Sequence, residues 1–479
     1  MSIELADAAG PGQLQLLYAL GHTGAIPDDQ HALLLDFAGR HGLFYLPPAF
    51  TADADTSAIE AGSPVIVRGM GLAAVDLTVL LTEGRGGRFV RTDDGRLSYL
   101  PSGREPQLVL GSRRGVPYHS KISSQLVGES PRPTFFTPAV AAELARSSIR
   151  LDFTEHVWPL IAKEMLWGYY RELFTGHPER VSAEWSQFAA AFTLLEPASL
   201  VGADDEELRA LVTASVPDAV DHLFLCEFDR PLAGARFETG DDLQSAVRDY
   251  IRRDLALRTR PEHSATQGLF IALLTSLFTL SDIVDSPKWS ATSRVRDLNG
   301  WWPGYFSYIA SGPPAHRLEE LLALSEAGIV QFIGGDMWVE ADEVSGEFRA
   351  GGPNSDRVVT ASALVDARLP ETRVAQSDNA VLRSLVASGA GLEERVKDDD
   401  VDDATGRLAV AGHDTRILTA AGERSERRYA IGPYTNTPFV GAFSRPRTNA
   451  IAFRENDRVA RAVLVHLAEL ARRGQTRRG

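Results

Sequence analysis

Cysteine is almost absent: Cys226 is the single one in 479 residues. That excludes a disulfide framework and fits a reducing, cytoplasmic compartment. Cys226 lies in the apolar run Leu223 to Phe228, which marks it as a packing residue rather than a nucleophile. Positive charge is also short, with 49 Lys and Arg against 64 Asp and Glu, for a net charge of −15. The deficit argues against nucleic acid and acidic membranes as partners, and the short basic tail Arg472 to Arg478 does not reverse it. No signal peptide is evident, and no uninterrupted apolar stretch is long enough to cross a bilayer. The 11 histidines show no H-x-H or H-E-x-x-H spacing, so no metal site is expected. There is no G-x-S-x-G elbow and no P-loop, which removes the common hydrolase and NTPase classes. The acidic run Lys397 to Asp403 lacks the glycine and terminal glutamate of an EF-hand and is expected to be a solvated loop.

What is present is a small-residue pattern. Pro64-Val65-Ile66-Val67-Arg68 has the character of a buried strand, and Gly69-Met70-Gly71-Leu72-Ala73-Ala74 follows it directly. This is the G-x-G-x-x-A form of the dinucleotide fingerprint. Gly69 allows the tight turn, Gly71 lets backbone approach a pyrophosphate, and Ala74 lets the helix pack on its strand. The free N–H groups and positive dipole of the helix start then face the phosphates. A second strand is expected at Pro106 to Gly111, ending in Ser112-Arg113-Arg114. An arginine at that tip suits the 2′-phosphate of NADP, whereas an acidic residue suits NAD. NADPH is therefore the expected cofactor, with Ser112, Arg113 and Arg114 at its ribose. The interval between the motifs is about twice the usual ~20 residues. A small hairpin from Phe89-Val90 and Leu97 to Leu100 accounts for the excess.

The remaining chain reads in blocks. Leu14 to His22 has the pattern of a buried strand, a helix is expected from Pro27 to His41, and Phe44 to Pro48 reads as an extended connection. Gly128 to Thr134 resembles a boundary, after which helical periodicity dominates to about Gly328. Asp241 or Thr239 is placed to cap one of these helices. Six tryptophans, including Trp158 and Trp302, fall in this block, where core packing is the ordinary use of such residues. From Ala327 short strands recur, read as a β-meander returning into a sheet and ending in a longer strand at Val358 to Pro370. A last helix is expected over Glu455 to Arg472.

Several strings together resemble a family of bacterial, largely actinobacterial, FAD/NAD(P)-binding proteins related to the flavin-dependent N-hydroxylating monooxygenases. They are Leu81 to Phe89, Tyr99 to Pro106, Gly111 to Tyr118, Asp297 to Trp301, Ser311 to Arg317 and Leu364 to Pro370. The resemblance implies an α/β flavoprotein of two dinucleotide-binding domains. An incomplete FAD domain, 1–60 with 327–479, would carry an inserted Rossmann-like NADP unit, 61–125, and a large helical insertion or substrate domain, 126–326. Gly21 and His22 would mark the exit from the FAD domain and Asp366-Ala367-Arg368 the return, with Ala430 to Thr437 and the helix after Asn449 closing it near the flavin. Asn299, Trp302, His316 and Arg317 are the candidates for a substrate or cofactor pocket; the alternative for Arg317 is an ion pair with Glu320. Catalytic residues are not assigned.

Proteins of that pattern carry an FAD fingerprint upstream of the strand matched by Leu16 to Gly21, and Met1 to Gln13 holds none. NADPH and FAD are both expected from the resemblance, with FAD binding by this chain alone left open. A start placed too far downstream, a partner chain or second copy completing the site, or loss of FAD would each account for the missing fingerprint. The expected activity is an NADPH-dependent, monooxygenase-like oxidation of a small polar metabolite. The alternative is a non-catalytic dinucleotide-binding subunit that depends on a partner.

Overall fold

The computed structural model describes residues 15–202, 205–399, 401–412, 414–437, 444, 446–447 and 449–476. Gly10-Pro11-Gly12, Asp400 and the end of the basic tail lie outside them. The chain forms two compact units, one from Pro27–Leu369 and one from Met1–Ile26 with Pro370–Gly479.

The larger unit is built on five parallel strands in the order Phe44–Leu46, Ala363–Asp366, Pro64–Arg68, Gln107–Gly111, Val330–Gly334. Parallel strands covered on both faces need apolar side chains pointing both ways, and the central pair has them. Val65, Val67, Leu108 and Leu110 belong to one core, with Ala74, Leu77 and Leu81 of the fingerprint helix. Ile66 and Val109 point to the other, where they meet Leu34 and Phe37 of helix Asp29–His41 and Phe348 of a separate antiparallel sheet. Asp28 caps that first helix by accepting from the His31 N–H at 2.9 Å.

These pairings correct the expected domain boundaries. Phe44–Leu46, Val330–Gly334 and Ala363–Asp366 hydrogen-bond into the fingerprint sheet, so 27–60 and 327–369 belong with the larger unit. Phe44-Tyr45-Leu46 is an edge strand, not a connection, because Pro47 and Pro48 follow its last paired residue. The meander also divides. Trp338–Asp342, Glu347–Gly352 and Ser355–Ala361 form their own antiparallel sheet, and Ser362 breaks the long strand expected at Val358 to Pro370. The inserted hairpin is observed, Arg88–Arg91 pairing with Leu97–Leu100.

Helices fill the expected block, the longest being Trp158–Gly176, Gly240–Thr259 and Ala265–Ser281. Thr239 caps the second through a reciprocal box with Asp242. Gly128 to Thr134 is not a free linker. Two buried carboxylates of helix Trp158–Gly176 hold this stretch: Glu172 accepts from the Val127 N–H at 2.8 Å, and Glu164 from Thr134, Phe135 and Phe136. Trp302 packs in an aromatic group with Trp158, Trp301 and Phe153, at ring separations of 5.6–6.5 Å.

In the smaller unit, Leu16–Tyr18 runs parallel to Arg424–Ala430, which pairs with Arg416–Leu418. Leu16 and Leu17 are exposed rather than buried. The Tyr434 hydroxyl donates to Tyr18 O at 2.7 Å and the Ile431 N–H to the same oxygen at 3.0 Å. The ends of the acidic run are strand rather than loop: Glu393–Lys397 pairs with Asp402–Leu408, and Asp402 accepts from Arg395 and Lys397.

Candidate dinucleotide site and its neighbourhood

The fingerprint folds as strand, turn and helix: Pro64–Arg68, then Gly69 to Gly71, then Leu72–Leu81. Gly69 has φ +136°, and a Cβ there would stand 2.5 Å from Ala367 O. That close approach has a topological cause. Chain order reverses between Pro64–Arg68, which continues to Gln107–Gly111 on one side, and Ala363–Asp366 on the other. A crevice at such a switch point, beyond the carboxyl ends of the strands, is where open α/β sheets bind ligands. Gly71 is the helix N-cap and offers no side-chain acceptor, so the first-turn N–H groups are not capped by it. A Cβ on Gly71 would meet the Tyr118 ring at 3.1 Å. Ala74 is buried against the sheet core.

An ionic network braces the two strand ends at this point. Asp366, fully buried, accepts from the Arg68 Nη2–H at 2.6 Å and the Tyr45 hydroxyl at 2.7 Å. Burial, then the Asp366 charge, pushes the Tyr45 phenol well above its usual range. Arg368 donates to His31 Nε2 at 3.1 Å and remains half-exposed. Asp366 and Arg368 were singled out from the sequence as the return from the insertion; Tyr45, Arg68 and His31 carry no local motif and were missed.

At the tip of the second strand the predicted residues separate. Ser112 Oγ accepts from the Gly115 N–H at 2.9 Å and shapes the turn. Arg113 is exposed. Arg114 turns inward. It donates to Asp229 Oδ1 at 2.9 Å through Nε and lies over the Tyr308 ring at 4.3 Å, leaving it 8% exposed. Its charge is already matched, so the expected arginine pair reduces to Arg113.

The other candidates do not converge. Asn299 and His316 are exposed, whereas Trp302 is buried in the aromatic group. Arg317 donates to Glu320 at 2.6 Å and to Glu83 at 3.2 Å, the structural alternative considered for it. Gly21 and His22 lie in the smaller unit, beyond strand Leu16–Tyr18, and are exposed.

A parallel sheet with helices and separate antiparallel sheets places the chain in the mixed α/β class. No family model matches the chain. It is 34% identical over 456 residues to a nitrosuccinate-forming L-aspartate N-monooxygenase of Streptomyces davaonensis, covering 93% of this chain and 68% of the relative. A second enzyme of that description, from Streptomyces cremeus, is 33% identical, with 96% and 69% covered. A nitrosuccinic acid synthase of Aspergillus oryzae is 31% identical, with 95% and 68% covered. The chain belongs to this family of N-monooxygenases, flavin-dependent N-hydroxylating enzymes. It is a monooxygenase-like oxidoreductase acting on a small polar metabolite. The alternative of a non-catalytic or partner-dependent subunit that has lost or borrows the FAD site is not favoured by these relatives, whose class works through a flavin, and the doubt over FAD is not borne out.

Proposed function

We propose that the protein is an NADPH-dependent flavin monooxygenase that oxidises the amino nitrogen of L-aspartate. The observation that carries the dinucleotide part is the Gly69 turn seated against Ala367 at the switch point. The substrate is taken from the activities named for the three relatives.

In this reading the larger unit binds NADPH. The helix start at Gly71 and Leu72 faces the pyrophosphate, and Ala74 keeps that helix against its strand. Arg113 takes the 2′-phosphate as an exposed guanidinium, with Ser112 shaping the turn beneath it. The Asp366 network with Arg68 and Tyr45 holds the strand ends at fixed spacing, so the crevice keeps its shape. NADPH supplies the hydride and the flavin activates oxygen; the protein's part is binding, orientation and exclusion of competing reactions. The smaller unit, with Gly21 and His22, is assigned to the flavin side; its described residues contain no second glycine-rich strand-turn-helix, so no residue there is assigned to the FAD pyrophosphate. A cytoplasmic location is part of this reading and is supported by the single cysteine.

The test is to incubate purified protein with FAD, NADPH, oxygen and L-aspartate and to look for nitrosuccinate by mass spectrometry. Aspartate-dependent nitrosuccinate is the expected result. NADPH oxidation with no nitrogen-oxidised product from aspartate would reject the substrate.

A further inference from the structure

The fingerprint strand Pro64–Arg68 has a parallel neighbour on each side, Gln107–Gly111 and Ala363–Asp366. All three therefore end at the same edge of the sheet. Each neighbour is followed two residues on by an exposed arginine, Arg113 after Gly111 and Arg368 after Asp366. The Gly69 turn lies between them. A dinucleotide at a switch point lies across the strand ends, its pyrophosphate at the turn and its two nucleoside halves to either side. With Arg113 at the adenosine ribose, the nicotinamide half falls on the side of Ala363–Asp366.

Arg368 is held there from backbone to guanidinium. It follows the Ala367 carbonyl that a Cβ on Gly69 would strike, so it flanks the turn directly. Its N–H donates to Asp366 O at 2.8 Å, and its own carbonyl accepts from the Ala49 N–H at 3.2 Å. The guanidinium donates through Nη2 to His31 Nε2 at 3.1 Å. A guanidinium only donates, so His31 Nε2 holds the lone pair and Nδ1 the proton. Nδ1 in turn stands 2.7 Å from Asp28 Oδ1, an acceptor for that proton. Asp28, His31 and Arg368 thus form one line with a single consistent tautomer. Charge also leaves Arg368 available. Its Nε is 3.7 Å from Asp366, but Arg68 holds that carboxylate closer, at 2.6 Å through Nη2. The Arg368 side chain stays 48% exposed, whereas Asp366 is fully buried.

We propose that Arg368 binds the nicotinamide-side phosphate of the dinucleotide, with His31 as its positioning residue. This role rests on the dinucleotide reading of the Gly69 crevice and concerns the half of the ligand opposite Arg113. The helix start offers the pyrophosphate N–H groups and a partial charge; an arginine adds a full charge and a planar fork that matches phosphate oxygens. Nothing at Arg368 depends on the 2′-phosphate, so it serves NADPH and NADH alike.

NADP+, NAD+ and adenosine 2′,5′-bisphosphate, titrated by calorimetry into the intact protein, separate the two halves. The bisphosphate carries the adenosine half and its 2′-phosphate but lacks the nicotinamide-side phosphate. Arg368→Ala is expected to weaken NADP+ and NAD+ by the same factor, about tenfold, and to leave the bisphosphate within about twofold. Arg368→Gln, which can still donate to His31 but carries no charge, should lose as much. His31→Ala should give a smaller loss of NADP+ with the bisphosphate unchanged, and His31→Gln, whose amide oxygen can stand in for Nε2, should restore it. Unchanged NADP+ affinity in Arg368→Ala, or an equal loss of the bisphosphate, would overturn the role of Arg368 alone. An unsubstituted protein that binds none of the three ligands would overturn the dinucleotide reading and this role with it.

Discussion

The crevice at Gly69 and the buried cluster of His119, Asp254 and Arg258 are built in opposite ways. At the crevice, backbone makes the site: a left-handed turn, a helix start without a side-chain cap, and residues too small to fill the space. In the cluster, side chains make it: the Asp254 carboxylate accepts from the Ser120 N–H and pairs with His119 Nδ1, and Arg258 donates to Ser120 O. The first arrangement suits a phosphate-bearing ligand, and the second ties helix Gly240–Thr259 to the Ser120 backbone. The difference also sets how each should respond to substitution.

The largest effect is expected at the side-chain site. Asp254→Ala would leave Arg258 buried without its counter-charge and the His119 Nδ1–H without its acceptor, costing about 3–5 kcal/mol. Urea unfolding of the variant against the unsubstituted protein measures it. Gly69→Val tests the backbone site. The left-handed φ alone costs about 1–3 kcal/mol for a side chain, and Ala367 O blocks the Cβ as well. NADPH affinity should fall at least about tenfold, with a smaller loss of stability than for Asp254→Ala.

The two arginines sharpen the comparison within one loop. Arg113→Ala should weaken NADPH about tenfold and leave NADH within about twofold, the loss of one charge-assisted contact. Arg114→Ala should instead lower the melting temperature, because it strands Asp229, while the NADPH to NADH ratio stays the same. Equal losses for both cofactors on removing Arg113 would refute its role.

The smallest effect is a pH dependence. Burial holds the His119 imidazole below its usual 6.5, so the folded protein binds this proton more weakly than the unfolded chain. The native state is then favoured above about pH 6.5, and stability falls as pH drops below it, by up to about 1.4 kcal/mol per pH unit. Burial alone would raise Asp254, but His119 and Arg258 beside it keep its carboxyl below the ordinary value, so its contribution is lost in the same direction at lower pH. His119→Phe should flatten the histidine part of this curve in urea midpoints taken between pH 8 and 5.

The same contrast explains what was legible in the residues. The fingerprint is local: strand, glycine spacing and helix follow one another within Pro64 to Leu81, and the structure keeps them in that order. The inserted hairpin and the Thr239 cap are local too. His119 and Asp254 are 135 residues apart and meet only through tertiary packing, so no spacing announced them. Strand membership failed for the same reason: Phe44–Leu46 and Ala363–Asp366 pair in register, Phe44 opposite Ala363, although these lie 319 positions apart in the chain. The arginine tip shows the limit of motif reading, since strand position placed Arg113 and Arg114 together and only packing against Asp229 divided them.

The most direct measurement is a paired titration of NADPH and NADH into the intact protein and into Arg113→Ala, followed by fluorescence. The crevice geometry predicts a preference for NADPH that falls about tenfold in the variant. Equal affinity for the two cofactors in the unsubstituted protein, or a preference that survives the substitution, would contradict it.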